Sequence, residues 1–93
     1  MNYLAIDFGT KRIGLAYSLR NIIFTLPMVK NDNKIFEKIN QIIVENKINK
    51  VYVGLSEGKI SEMTKKFIEK LSRVVKLPIE TVEEAVSTIE ADN

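Results

Sequence analysis

The sequence predicts an α/β domain with a mixed five-stranded sheet, its elements in the order β-β-β-α-β-α-β. Three observations carry this. Three short apolar runs with tight polar connections open the chain. Two stripes of helical period follow. One apolar run ending in glycine lies between the stripes, and another short run follows the second.

Asn2–Phe8 is short, apolar and bounded by Gly9, which reads as a buried strand. Thr10–Arg12 is a tight turn. Ile13, Leu15 and Tyr17 then alternate with Gly14, Ala16 and Ser18, a period of two that leaves one face lined by small residues. A helix or a ligand can pack closely on such a face. Leu19–Asn21 turns the chain, and Ile22–Val29 is a third strand, placed at an edge by Pro27, which lacks the N–H a central strand needs. These three strands form an antiparallel meander.

Asn31, Asp32 and Asn33 are candidate N-caps. The helix they precede carries Ile35, Phe36, Ile39, Ile42 and Ile43 and ends near Asn46–Lys47. Lys50–Leu55 is the fourth strand. From Ile60 the stripe Met63, Phe67, Ile68, Leu71, Val74 and Val75 makes a second amphipathic helix, stopped before Pro78. Ile79–Val82 is the fifth strand. Strands joined through helices are expected to run parallel, with both helices packed on the sheet. Ser87 and Glu90 have capping-box spacing, which marks a helix start, yet the sequence ends at Asn93. One turn of helix does not persist alone, because nucleation is costly. Either the tail docks on another subunit or the domain is truncated; the expectation is a single domain over residues 1–93, truncated at its C-terminal side.

With 93 residues and a net charge of +2, the chain is one domain whose charge balance alone does not announce a partner. It has no Cys and no His, which excludes disulfides, thiol catalysis, His-activated nucleophiles and zinc sites built on those residues. Carboxylates, hydroxyls, Lys and Arg remain. Carboxylates favour hard cations, so a cofactor held by them is expected to be Mg²⁺ or Mn²⁺. No apolar run is long enough to span a bilayer, and no signal-like segment opens the chain, so a cytoplasmic location is expected.

Asp7 ends the first strand. It can accept N–H bonds from Gly9 or Thr10 in an Asx-type turn, or it can bind a metal at the strand end, where ligands of open α/β sheets gather. Thr10, Lys11 and Arg12 offer a hydroxyl and two cations suited to a phosphate, or else form a solvated turn. Glu83 and Glu84 follow the fifth strand, with Ser87 and Thr88 close behind. A Glu-Glu pair at a strand end can hold a cation or decorate a surface. Glu57, in a Ser-Glu-Gly turn, reads first as a solvated loop acid. In the predicted sheet the ends of strands one, four and five share one edge, so Asp7, Glu57 and Glu83/Glu84 can converge beside the cations. That is the arrangement metal-assisted phosphodiester hydrolysis requires.

AIDFGTKRIGLAYS, VYVGLSEGK and LPIETVEEAVST occur here in order. They resemble the D-x-G-x-K-R-I-G opening, the V-V-G-L/I segment and the L-P-V-x-x-x-D-E-x-x-S/T-T segment of the YqgF/RuvX family. Its members are RNase H-like Holliday-junction resolvase homologues or pre-16S rRNA processing nucleases. The resemblance implies an RNase H-like fold and a nuclease acting on structured RNA or branched DNA. It implies Asp7 and Glu84 as catalytic, metal-binding carboxylates, with Ser87 and Thr88 as the hydroxyl pair. Thr10, Lys11 and Arg12, and also Lys59, Lys65 and Lys66, can meet phosphates. Glu83 stands where the family has Asp, and Ala85 where many members have Arg. The family continues into two helices with a third carboxylate, which Asp92, eight residues past Glu84, does not replace. With that ligand missing, two-metal binding is expected to be weak and these 93 residues inactive by themselves. An uncovered sheet region would favour a homodimer.

Two other readings fit parts of the pattern. D-x-G-T and a three-strand meander also open actin-, heat-shock-chaperone- and sugar-kinase-like ATPases, although no second D-x-G-G loop is present here. A non-catalytic α/β binding module is the other.

Overall fold

A computed structural model describes residues 1–55 and 62–83, and of Glu83 the backbone only. β1 (Tyr3–Asp7), β2 (Arg12–Leu19), β3 (Ile22–Thr25) and β4 (Val29–Lys30) come first. α1 (Ile35–Glu45), β5 (Lys50–Leu55), α2 (Glu62–Val74) and β6 (Ile79–Glu83) follow. The sheet runs β3-β2-β1-β5-β6, with β4 also paired to β2. β1 is central, antiparallel to β2 and parallel to β5, and β6 is parallel to β5. The mixed sheet and antiparallel meander follow the sequence expectation.

One expectation is corrected. The sheet has six strands, because Ile22–Val29 is not a single strand. Thr25 faces Ala16 and Val29 faces Ile13, so four steps along this segment match three along β2. The extra residue lies around Pro27, which has no N–H for the ladder, and the chain bulges there before pairing resumes.

Strand alternation sorts the sheet into two faces. Leu4 and Ile6 of β1, Ile13 and Leu15 of β2, and Val51 and Val53 of β5 are buried together with Ile35, Ile39 and Ile42 of α1 and Phe67 and Leu71 of α2. Both helices therefore cover the same face. Phe8, at the end of β1, points the same way and packs on Phe67 with ring centroids 4.8 Å apart, while Phe36 stacks on Phe67 at 5.5 Å. The opposite face, with Tyr3, Ala5, Asp7, Gly14 and Ala16, is half-buried to exposed and carries no described helix.

Turns and caps follow local chemistry. Leu19 pairs with Ile22, and Arg20 and Asn21 between them both have positive φ (50° and 70°), as a two-residue type I′ hairpin demands. α1 ends in a Schellman arrangement: the Ile48 N–H donates to Ile43 O (3.0 Å), and Lys47 takes the left-handed conformation, φ 51°. Its start differs from the expectation. The N-cap is Lys34, with no side-chain cap bond. Asp32 Oδ1 instead accepts the Lys34 N–H (2.9 Å), and Asn31 is used elsewhere. Among the described residues no helix is long and apolar enough to cross a membrane.

The division of α1 into a buried and a solvated side gives a paired prediction. Ile39→Ala, at a fully buried position, should cost about 2–5 kcal/mol. Val44→Ala, on the exposed side of the same helix, should change stability by no more than about 0.5 kcal/mol. Urea unfolding of both variants checks this.

Candidate functional site

Asp7 is the last residue of the central strand and lies on the face the helices do not cover. Its neighbours across the ladder are Gly14 on β2 and Gly54 on β5, and Val82 of β6 lies beyond Gly54. The carboxylate thus stands in a row where neither adjacent strand projects a side chain. An ideal Cβ on Gly14 would sit 3.4 Å from Asp7 Cβ and 3.9 Å from Oδ2, so this clearance belongs to the glycine. Asp7 is exposed, and among the described residues nothing hydrogen-bonds or ion-pairs its side chain. The Asx-type bonds to Gly9 or Thr10 are not formed.

Around Asp7 the open face forms a hollow of about 270 Å³, lined by Ala5, Gly14, Ala16, Gly54 and Val82 and bounded by Tyr52. Its far end is filled. Tyr3 packs edge-on against Tyr52 at 5.5 Å, and Lys50 Nζ lies 5.0 Å from the Tyr52 ring centroid and 3.4 Å from Glu80 Oε1. Desolvation lowers the Lys50 pKa, but the Glu80 carboxylate and Tyr52 outweigh it and leave the ammonium above its ordinary 10.5. The sheet face therefore grades from an aromatic, ion-paired end to a small-residue end occupied by Asp7.

The turn beside Asp7 is held from three directions. Phe8 anchors it in the core. Gly9 permits its close path, since a Cβ there would strike the Arg12 carbonyl. Asn31 ties it down: its Nδ2 donates to Gly9 O (2.9 Å) and Thr10 O (3.3 Å), and its backbone N–H donates to Lys11 O (2.9 Å). Sequence reading missed this role, because Asn before a helix signals a cap first. The D-x-G turn itself offered the only hint, since its carbonyls need a donor.

Thr10, Lys11 and Arg12 are all exposed on this turn, next to Asp7 in the chain. Among the described residues the Lys50–Glu80 pair is the ion pair, so Lys11 and Arg12 are uncompensated. Lys65 and Lys66 are exposed on α2, on the helix-covered side. Glu83 lies in β6 opposite Leu55, one step past the Asp7 row. Glu84, Ser87, Thr88, Ala85, Glu57, Lys59 and Asp92 lie outside the described residues. No three of His, Cys, Asp and Glu cluster among the described residues.

The sequence profile of the RuvX family, Holliday junction resolvase, matches residues 1–93. The chain belongs to the RuvX family. Curated relatives bear the name "Putative pre-16S rRNA nuclease". The Buchnera aphidicola protein is 38% identical over 98% of this chain and 74% of its own length. That of Sulfurihydrogenibium is 38% identical over 85% and 60%, and that of Maridesulfovibrio salexigens 35% over 100% and 76%. Among solved structures, Thermus thermophilus RuvC superposes with a TM-score of 0.66 at 12% identity, covering 89% of this chain and 64% of RuvC. RuvC in complex with a Holliday junction substrate gives 0.62 at 14%, with the same coverage. An exopolyphosphatase from Cytophaga hutchinsonii gives 0.58 at 15%, covering 91% of this chain and 35% of that one. At such identities the likeness is one of fold, and the RuvC-like, RNase H-like architecture matches the sequence expectation.

The Asn31 bonds predict an order of stability. Asn31→Ala removes two bonds to turn carbonyls and should cost about 1–2 kcal/mol. Asn31→Asp should cost more at neutral pH, because a carboxylate has no proton to donate and would face the same carbonyl oxygens. Thermal unfolding of the two variants checks the ranking.

Proposed function

We propose that this chain carries the metal-binding end of a nuclease that hydrolyses phosphodiester bonds in structured nucleic acid, either the 5′ region of precursor 16S rRNA or a branched DNA junction. The observation that supports this most is Asp7: an exposed carboxylate with no described partner, between two glycines, at the end of the central strand of a RuvX-family chain. The names of the curated relatives point the same way.

In this reading Asp7 and Glu84 hold Mg²⁺ or Mn²⁺ and are the catalytic residues. Such an ion, when bound, polarises the phosphoryl oxygen and lowers the pKa of a coordinated water. Gly54 supports the pairing. It separates the Asp7 strand from β6 without a side chain, across two strand spacings of roughly 9.5 Å. Thr10, Lys11 and Arg12 bind substrate phosphates, and Ser87 and Thr88 contribute hydroxyls. Residues 1–93 act as one RNase H-like domain in the cytoplasm, and the sheet face that carries no described helix suits a homodimer.

Asp7→Asn tests the proposal. The variant should lower hydrolysis of a labelled precursor-rRNA hairpin and of a four-way DNA junction, in Mg²⁺ or Mn²⁺, by about 100-fold or more. Its thermal midpoint without metal should be unchanged or slightly higher, since the carboxylate has no described bond to lose. Added Mg²⁺ should raise the midpoint of the wild type and not of the variant. Equal hydrolysis by both proteins would refute the assignment, and ATP affinity without nucleic-acid binding would favour the ATPase-like reading.

A further inference from the structure

We propose that Lys30 and Arg12 form a phosphate clamp on the Asp7 face of the sheet, gripping a phosphate next to the one that is cleaved. The identity of the ligand as nucleic acid rests on the nuclease reading above, whereas the pairing of the two cations rests on the strand register.

Arg12 and Lys30 are direct partners across β2 and β4. Alternation fixes which way they lie. Arg12 is two residues from Gly14, which faces Asp7, so both project from the open side of the sheet. Next to Lys30, Val29 packs against the core, and Asn31 reaches the Gly9 and Thr10 carbonyls beside Phe8 and Phe36 on the helix side. Lys30, between them, projects from the opposite side, the side of Asp7. The bulge around Pro27 sets this. Without the extra residue, Val29 would stand opposite Arg12.

Like charges directly opposite in an antiparallel pair repel and weaken the strand pairing. β4 has only two residues, so its ladder has little to offset that repulsion. Both side chains are exposed, and among the described residues neither has an acidic partner. At the sheet edge Lys30 also borders a hollow on the α1 side, lined by Val29, Asp32, Lys34, Ile35 and Lys38, in which Asp32 is the one carboxylate and forms no described ion pair with Lys30. A phosphate between the two cations would relieve the repulsion. It would receive a bidentate guanidinium on one side and a mobile ammonium on the other. Two residues along β2 from the Asp7 row is about 7 Å, which puts the clamp beside the reacting phosphate rather than upon it.

The test uses Lys30→Ala and Lys30→Glu, with a fluorescein-labelled four-way DNA junction and a labelled precursor-rRNA hairpin as probes. Binding is measured by anisotropy in EDTA over a range of salt concentrations, so that hydrolysis plays no part. Lys30→Ala should weaken binding to the preferred probe roughly 5- to 10-fold at low salt and flatten the plot of log affinity against log salt by about one contact's worth, near 0.7–0.9. Lys30→Glu should weaken binding further. Yet it should raise the thermal midpoint, because a carboxylate opposite Arg12 replaces repulsion by attraction. A residue needed only for folding would not separate these readouts. Wild-type affinity and salt slope in Lys30→Ala would overturn the clamp while leaving the nuclease reading intact. Failure of the wild type to bind either probe would overturn both. Loss of binding in Lys30→Ala together with unchanged hydrolysis in Asp7→Asn would sustain the clamp and sink only the catalytic assignment.

Discussion

The alternation of β1 is the constraint on which the rest depends. Leu4 and Ile6 have no exposure worth noting and Phe8 is nearly as buried, all three on the side covered by α1 and α2. Tyr3, Ala5 and Asp7 must then lie on the other side. A slip of one residue would place Asp7 among apolar side chains, where an unpaired carboxylate is strongly disfavoured. Hydrophobic burial thus aims the carboxylate at the open face, and among the described residues no bond to the carboxylate is needed for this.

Glycine and asparagine complete that arrangement in different ways. Gly14 and Gly54 act by what they lack, keeping the strands on both sides of Asp7 free of side chains. Gly9 lets the chain pass close to the Arg12 carbonyl, and Asn31 supplies the donors that the turn's carbonyls require. The next residue back, Lys30, faces the other way. One short segment after the Pro27 bulge therefore serves both sides of the sheet, holding the turn on one and presenting a cation on the other.

The same sheet occurs in RuvC and in an exopolyphosphatase, so the architecture by itself does not choose a reaction. The choice comes from residues placed on it. A family opening of Asp, Gly and two cations lies at the end of the central strand, where open α/β sheets collect ligands. The far end of the same face is closed by Tyr3, Tyr52 and the Lys50–Glu80 pair. Asp7 stands at the opposite, small-residue end.

The sequence by itself determined the order of the elements apart from the break within Ile22–Val29, the two helix stripes, the antiparallel meander and the place of Asp7 at a strand end. These follow from hydrophobic period and from glycine and proline punctuation, which are local properties. It also yielded the family, since three motifs recur in order. Tertiary structure alone decided that Ile22–Val29 breaks into two strands, that Asn31 holds the Gly9–Lys11 turn rather than capping α1, and that Lys30 meets Arg12. Each of those depends on cross-strand register. A single added residue reverses the face of every side chain after it, and no local pattern records which residue of a distant strand stands opposite.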